Sequence, residues 1–204
     1  LLLIVDEVQT GMGRTGELYA SSFYGLQPDI VYLAKSLTSG YAPLSALMTS
    51  KPIFDALNSN GGYFLHGSTF SGHPAACVAA LKVMEIVIRE NLVERARHLG
   101  SLLKTELEHQ LQGVGHIGSI NGKGTLFEIG IVGEQGEQLP KEKRIEVAMK
   151  LYSELLARGQ YVRVLGGSMC IAPPLISTDD EIRELAAGIK SAMLKLNEKR
   201  SLWA

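Results

Sequence analysis

Lysine seldom ends a buried strand. Here Lys35 follows the apolar run Ile30-Val31-Tyr32-Leu33-Ala34, a setting where desolvation can strip the ammonium of its proton and make the amine a nucleophile toward a carbonyl. A lysine that snorkels to the surface beyond a strand end is the plain alternative. Asp6 closes an equivalent run, Leu1-Leu2-Leu3-Ile4-Val5. If the two runs are neighbouring strands, an amine and a carboxylate share the C-terminal edge, where open α/β sheets hold their ligands. A pyridoxal-phosphate site needs such a pair: the lysine carries the cofactor as a Schiff base, and the acid keeps the ring nitrogen protonated. A salt bridge closing the sheet edge would use the same two residues without chemistry.

The glycine-rich stretch after Asp6 invites another reading. Gly11-Met12-Gly13-Arg14-Thr15-Gly16 fits the G-x-G-x-x-G pattern of a nicotinamide-binding domain, and it follows a strand. In that fold the first glycine ends the strand, so that a helix N-terminus meets the pyrophosphate. Here Asp6, Glu7, Val8, Gln9 and Thr10 intervene, and two carboxylates would repel a phosphate. The ribose-binding acid belongs roughly 20 residues further on, whereas Asp29 comes sooner and precedes a strand. A turn that folds the chain back is the better account. The histidines form no metal pattern, since His66 and His73 share a loop and no H-E-x-x-H occurs. Cys77 and Cys170 lie far apart in apolar stretches with no C-x-x-C pair, as expected of small buried thiols in a reducing compartment.

The runs around these residues imply an α/β scaffold. Residues 1–5, 29–34 and 44–49 read as short strands, the first a buried parallel one. A short helical stretch spans 17–24. The segment 51–72, rich in Gly, Ser, Asn and aromatics, reads as an extended loop. Pro74 suits the first turn of a helix over 75–90; Asn91 interrupts it, and a second helix covers 92–112. Five glycines in 113–124 mark a turn into a strand at 125–132. A polar loop at 133–143, a helix at 144–158, strands at 161–165 and 169–172 and a last helix at 179–197 follow. Because strands and helices are mixed in this half, it reads as a small α+β domain, giving domains of 1–99 and 100–204.

With 204 residues, 46% hydrophobic, 20% charged and a net charge of -1, the chain has the composition of a globular protein. It carries no electrostatic footprint for nucleic acid or an anionic membrane. Its apolar runs are too short to span a bilayer. No basic n-region or cleavage pattern opens it, so a cytoplasmic location is the expectation. It begins without Met, on what reads as a core strand, which is the expectation for the C-terminal part of a longer protein.

Four segments together are similar to one family. Asp6-Glu7-Val8-Gln9-Thr10-Gly11-Met12-Gly13-Arg14-Thr15-Gly16 resembles the "DEV-x-TG-x-GRTG" stretch of class III pyridoxal-phosphate aminotransferases. Pro28-Asp29-Ile30 through Ala34-Lys35-Ser36-Leu37 resembles their lysine segment, with Lys35 29 residues after Asp6. His66-Gly67-Ser68-Thr69-Phe70-Ser71-Gly72-His73-Pro74 looks like their "HG-x-T-(F/Y)-x-G-(H/N)-P" loop, and Ala172-Pro173-Pro174-Leu175 like their "PPL".

The resemblance implies an α/β, fold-type I transferase of the aspartate-aminotransferase type: part of the large cofactor domain, then the C-terminal small domain. Its cofactor would be pyridoxal 5'-phosphate. Lys35 would hold it and shuttle a proton between the substrate carbon and the cofactor's C4′. Asp6 would pair with the pyridinium nitrogen, Val8 pack on the ring and Gln9 lie near the phenolic oxygen. Thr69, with Ser68 beside it, would bind the phosphate of cofactor in a partner subunit, so that a homodimer with shared sites would be the active unit. Arg163 falls where the ω-amino-acid and diaminopelargonate branches clasp a substrate carboxylate. The ornithine and γ-aminobutyrate branches instead place an arginine immediately before their "xAPPL" segment, at the position of Cys170. The family's phosphate-binding turn and ring-stacking aromatic lie upstream of the Asp strand and are not in this sequence. The implied activity is transfer of an amino group between a primary amine or ω-amino acid and a keto acid such as pyruvate. A diaminopelargonate aminotransferase of biotin synthesis and a non-catalytic relative are the alternatives.

Overall fold

The computed structural model describes residues 1–59 and 62–203. By contact the chain divides into two units, Leu1–Glu94 and Arg95–Ala204.

In the first unit β1 (Ile4–Asp6) pairs in parallel with β2 (Ile30–Leu33), and β2 pairs antiparallel with β3 (Ala46–Thr49), in the order β1-β2-β3. The register sets Val5 opposite Val31 and Asp6 opposite Tyr32. Paired residues share a sheet face, and successive residues alternate. Val31, Leu33 and Ala46 therefore point one way, toward Ala80, Val83 and Met84 of α3 (Pro74–Arg89), where Met12 and Leu37 complete a small apolar cluster. Ile4, Asp6, Tyr32 and Leu47 point the other way and are exposed. The burial expected of residues 1–5 is therefore not found: β1 is an edge strand, and Leu1, Leu2, Leu3 and Ile4 are exposed.

A four-residue helix, α1 (Ala20–Phe23), lies within the predicted stretch. The segment read as a loop from residue 51 instead opens with α2 (Lys51–Asn58), which buries none of its residues; residues 60 and 61 lie outside the described ones. Pro52 sits in its first turn, and Lys51 pairs with Asp55 one turn on at 2.8 Å.

α4 (Leu92–Leu111) presents Leu99, Leu103, Leu107 and Leu111, all buried, on one stripe. The second unit's sheet has the order β4-β5-β7-β6 and is wholly antiparallel. Its strands are β4 (Ile117–Lys123), β5 (Leu126–Ile131), β6 (Arg163–Leu165) and β7 (Ser168–Ile171). β4 occupies most of the span read as a glycine turn. Phe127, Ile129, Ile131, Met169 and Ile171 cover the leucines of α4 together with α5 (Lys141–Leu156) and α6 (Asp179–Asn197). Gly100 permits a close backbone approach: a Cβ there would stand 2.2 Å from the Gly124 carbonyl oxygen. α6 starts with a reciprocal cap, Thr178 Oγ1 accepting from Glu181 N at 3.2 Å and Glu181 Oε2 from Thr178 N at 2.7 Å. After α6, Trp203 stacks on His116 with centroids 3.7 Å apart and donates to the Leu196 carbonyl.

Candidate active site

The C-terminal edge of β1 and β2 gathers the chemistry. Asp6 is the last residue of β1 and the partner of Tyr32, so it lies one strand over from the chain that reaches Lys35 three residues later. Its Oδ1 accepts the backbone N–H of Val8 at 2.8 Å, which fixes the carboxylate against its own strand end. Lys35 is exposed and has φ +44°. Left-handed backbone costs a non-glycine residue about 1–3 kcal/mol and persists only where surroundings impose it. The imposing elements are visible: Leu33 before it and Leu37 after it are buried in the apolar cluster, the N–H of Leu37 bonds the Ala34 carbonyl at 2.9 Å, and α3 packs on the turn Lys35–Leu37. Thr38 Oγ1 bonds the Ala42 carbonyl at 2.5 Å and closes the following loop.

Between Asp6 and α1 the chain makes a tight return. Met12, Gly13 and Gly16 all have positive φ. Gly11 is required by contact: an added Cβ would meet the Glu7 carbonyl oxygen at 2.9 Å and Leu33 Cδ2 at 3.0 Å. The G-x-G-x-x-G stretch is thus a reversal pressed on β2. Arg14, within it, is held below its ordinary pKa by burial.

Glu7, which the sequence reading left out of the site, is 1% exposed. It accepts from Ser21 N at 2.7 Å, from Ala20 N at 3.0 Å and from the Thr10 hydroxyl. Burial alone would raise its pKa; the bonds from Thr10, Ser21 and Ala20 outweigh that and hold it below the usual carboxylate range. An acid with a hydroxyl three residues later was the only sequence trace of this arrangement.

Val8 is half-buried and Gln9 exposed on the same return. Ser68 and Thr69 are exposed on the loop before α3, where Ser68 N donates to Ser71 Oγ at 2.9 Å. Arg163 belongs to the second unit, exposed on the edge strand β6, and its Cα partner across the ladder is Cys170. Glu128 pairs with Cys170 from the other side, so Glu128, Cys170 and Arg163 form one row on the sheet face opposite the core.

The sequence profile of the family "Aminotransferase class-III" matches residues 1–193. This chain belongs to the class III aminotransferases. It is 34% identical over 98% of its length to gamma-aminobutyrate transaminase 1, mitochondrial, of Oryza sativa subsp. indica, covering 39% of that protein. Among solved structures, it is similar to an (S)-enantioselective omega-transaminase from Thermomicrobium roseum, with 38% identity and a TM-score of 0.91 over 96% of this chain and 44% of that one. It is also similar to a PLP-bound amine transaminase from an uncultivated Pseudomonas species, with 34% identity and a TM-score of 0.90 over 96% and 45% of the two chains. The fold is therefore that of the PLP-dependent transaminases, and this class III chain spans under half the length of the relatives it matches. Among its described residues, no helix is long and apolar enough to cross a membrane.

Proposed function

We propose that the protein is a cytoplasmic transaminase that moves an amino group between a primary amine or ω-amino acid and a keto acid such as pyruvate, using pyridoxal phosphate. One observation carries the reading: Lys35 adopts a left-handed backbone just past β2, three residues beyond Tyr32, which pairs with Asp6 on the parallel neighbour strand.

The residues present fit that cofactor. An exposed primary amine is available to its aldehyde, and Asp6, tethered through Oδ1 to Val8 N, offers an anion one strand away for its ring nitrogen. When bound, pyridoxal phosphate supplies an electron-accepting ring that stabilises negative charge on the substrate carbon. Lys35 Nζ would hold the cofactor between turnovers and would carry the proton between the substrate carbon and C4′. Asp6 would keep positive charge on the ring nitrogen through its carboxylate. Val8 and Gln9, on the return that follows Asp6, would hold the ring face and the phenolic oxygen, as the family resemblance implies. Arg163 binds the substrate carboxylate with its planar, permanently charged fork.

Ser68 and Thr69 bind phosphate held by a second copy of the chain, in a homodimer. Tyr63, Phe64, Leu65 and Phe70, on the same loop as Ser68 and Thr69, are exposed, and aromatic side chains are enriched at interfaces between chains.

The test is amino transfer by the full-length protein from an ω-amino acid to pyruvate, followed as alanine formed, with Lys35→Ala as the control. Activity that Lys35→Ala abolishes supports the reading. Activity that survives Lys35→Ala refutes it.

A further inference from the structure

Glu7 carries no role in the reaction proposed above, yet its buried carboxylate is held by donors from two stretches of chain. Its main chain serves the sheet and the loop at once: Glu7 N donates to the Tyr32 carbonyl at 2.9 Å, and Gly11 N donates to the Glu7 carbonyl at 3.0 Å. Its side chain gathers donors from two separate stretches, Thr10 on one and Ala20 and Ser21 on the other. The return from Asp6 to α1 is therefore closed by one buried carboxylate. That return bears on the lysine. Gly11 lies against Leu33, and Met12, at φ +61° and 2% exposed, fills the cluster that holds Leu33 and Leu37 on either side of Lys35.

We propose that Glu7 is a positioning residue: its carboxylate clamps the loop that supports the Lys35 turn on one side and carries Val8 and Gln9 on the other. The inference rests on Lys35 being the cofactor lysine. The clamp needs a carboxylate rather than any acceptor. The hydroxyls of Thr10 and Ser21 and the N–H groups of Ala20 and Ser21 converge on two oxygens, and an amide has one oxygen and one NH2. Whichever way a glutamine turned, its NH2 would face the N–H of either Ala20 or Ser21, leaving two donors in opposition.

The experiment uses the full-length protein loaded with pyridoxal phosphate, in wild-type, Glu7→Gln and Thr10→Val forms. Borohydride mapping of the wild type comes first: label elsewhere than Lys35 overturns the functional reading itself, before any variant is considered. With the label on Lys35, the expected result for Glu7→Gln is a kcat lower by about 10- to 100-fold, as small displacements of catalytic groups produce. KM should change by less than about threefold. The pH midpoint of the visible absorption band of the lysine-bound cofactor should move by about half a unit or more. Thr10→Val removes one donor while keeping the acid, so it should shift the same midpoint in the same direction by less. It also decides the matter if Glu7→Gln does not fold. A lower melting temperature with kcat and midpoint unchanged would reduce Glu7 to a structural part and overturn the proposal, as would an unmoved midpoint in Thr10→Val.

Discussion

Replacing Arg163 by alanine removes a permanently charged fork from the exposed edge strand β6 and leaves the backbone pairing with β7 in place. If the guanidinium clasps a substrate carboxylate, the loss is that of a charge-assisted, two-pronged hydrogen bond, about 2–3 kcal/mol. That corresponds to a KM raised roughly 10²-fold for carboxylate-bearing substrates. A phenylalkylamine donor, which has nothing for the fork to hold, should change far less. The ladder supplies a second arm. Cys170 is the Cα partner of Arg163, and residues so paired are about 4.5–5.5 Å apart with side chains on one face. An arginine introduced at Cys170 in the Arg163→Ala background can therefore reach back across one rung. It would also stand beside Glu128, its partner on β5, and a cross-strand ion pair would divert about 0.2–1 kcal/mol. That is a factor of about 1.4 to 5, so the double variant should recover about 20- to 70-fold of the lost hundredfold. Steady-state kinetics with matched acid and amine donors in the full-length enzyme decide it. Equal losses for both donor types, or no recovery from Cys170→Arg, would refute the clasp.

Asp6→Asn should leave cofactor bound but lower single-turnover rates by orders of magnitude, because an amide cannot sustain charge on the ring nitrogen; near-normal rates would make Asp6 a structural tether for Val8. Gly100→Ala should destabilise the second unit by at least about 1–3 kcal/mol, since the new methyl meets the Gly124 backbone and not a side chain that can move aside; an unchanged urea midpoint would show that α4 is not pressed on that turn. Glu7 has a depressed folded pKa, so its contribution to stability is present above the ordinary glutamate pKa and is lost as pH falls through the lower folded value. Urea midpoints measured from about pH 5 downward should therefore fall less steeply for Glu7→Gln than for wild type, and parallel slopes would contradict the assignment.

What the sequence disclosed follows from which signals are local. Asp6 and Lys35 could be placed at strand ends because apolar runs stop at each of them, and the register of β1 on β2 then brings the two ends side by side. The helix read at 179–197 matches α6, whose start the structure shows closed by a reciprocal cap between Thr178 and Glu181. α2 escaped because it buries nothing, leaving no apolar stripe to read; Pro52 and the Lys51–Asp55 spacing were its only marks. β4 escaped because its glycines imitate a turn and a register shift between Ile117 and Ile120 breaks the alternation that betrays a strand. The left-handed φ of Lys35 is imposed by packing on both sides, and no residue type announces it. Glu7 escaped for a related reason: two of its donors are backbone N–H groups, which every sequence has.

The central claim is that the amine at the β2 edge is the one that holds the cofactor. Reducing the full-length protein, loaded with pyridoxal phosphate, with borohydride fixes the cofactor to whichever lysine carries it, and proteolysis with mass spectrometry locates the label. The account predicts the label on the peptide containing Lys35, and no label there once Lys35 is replaced by alanine. Label on any other lysine of the wild-type protein would contradict it.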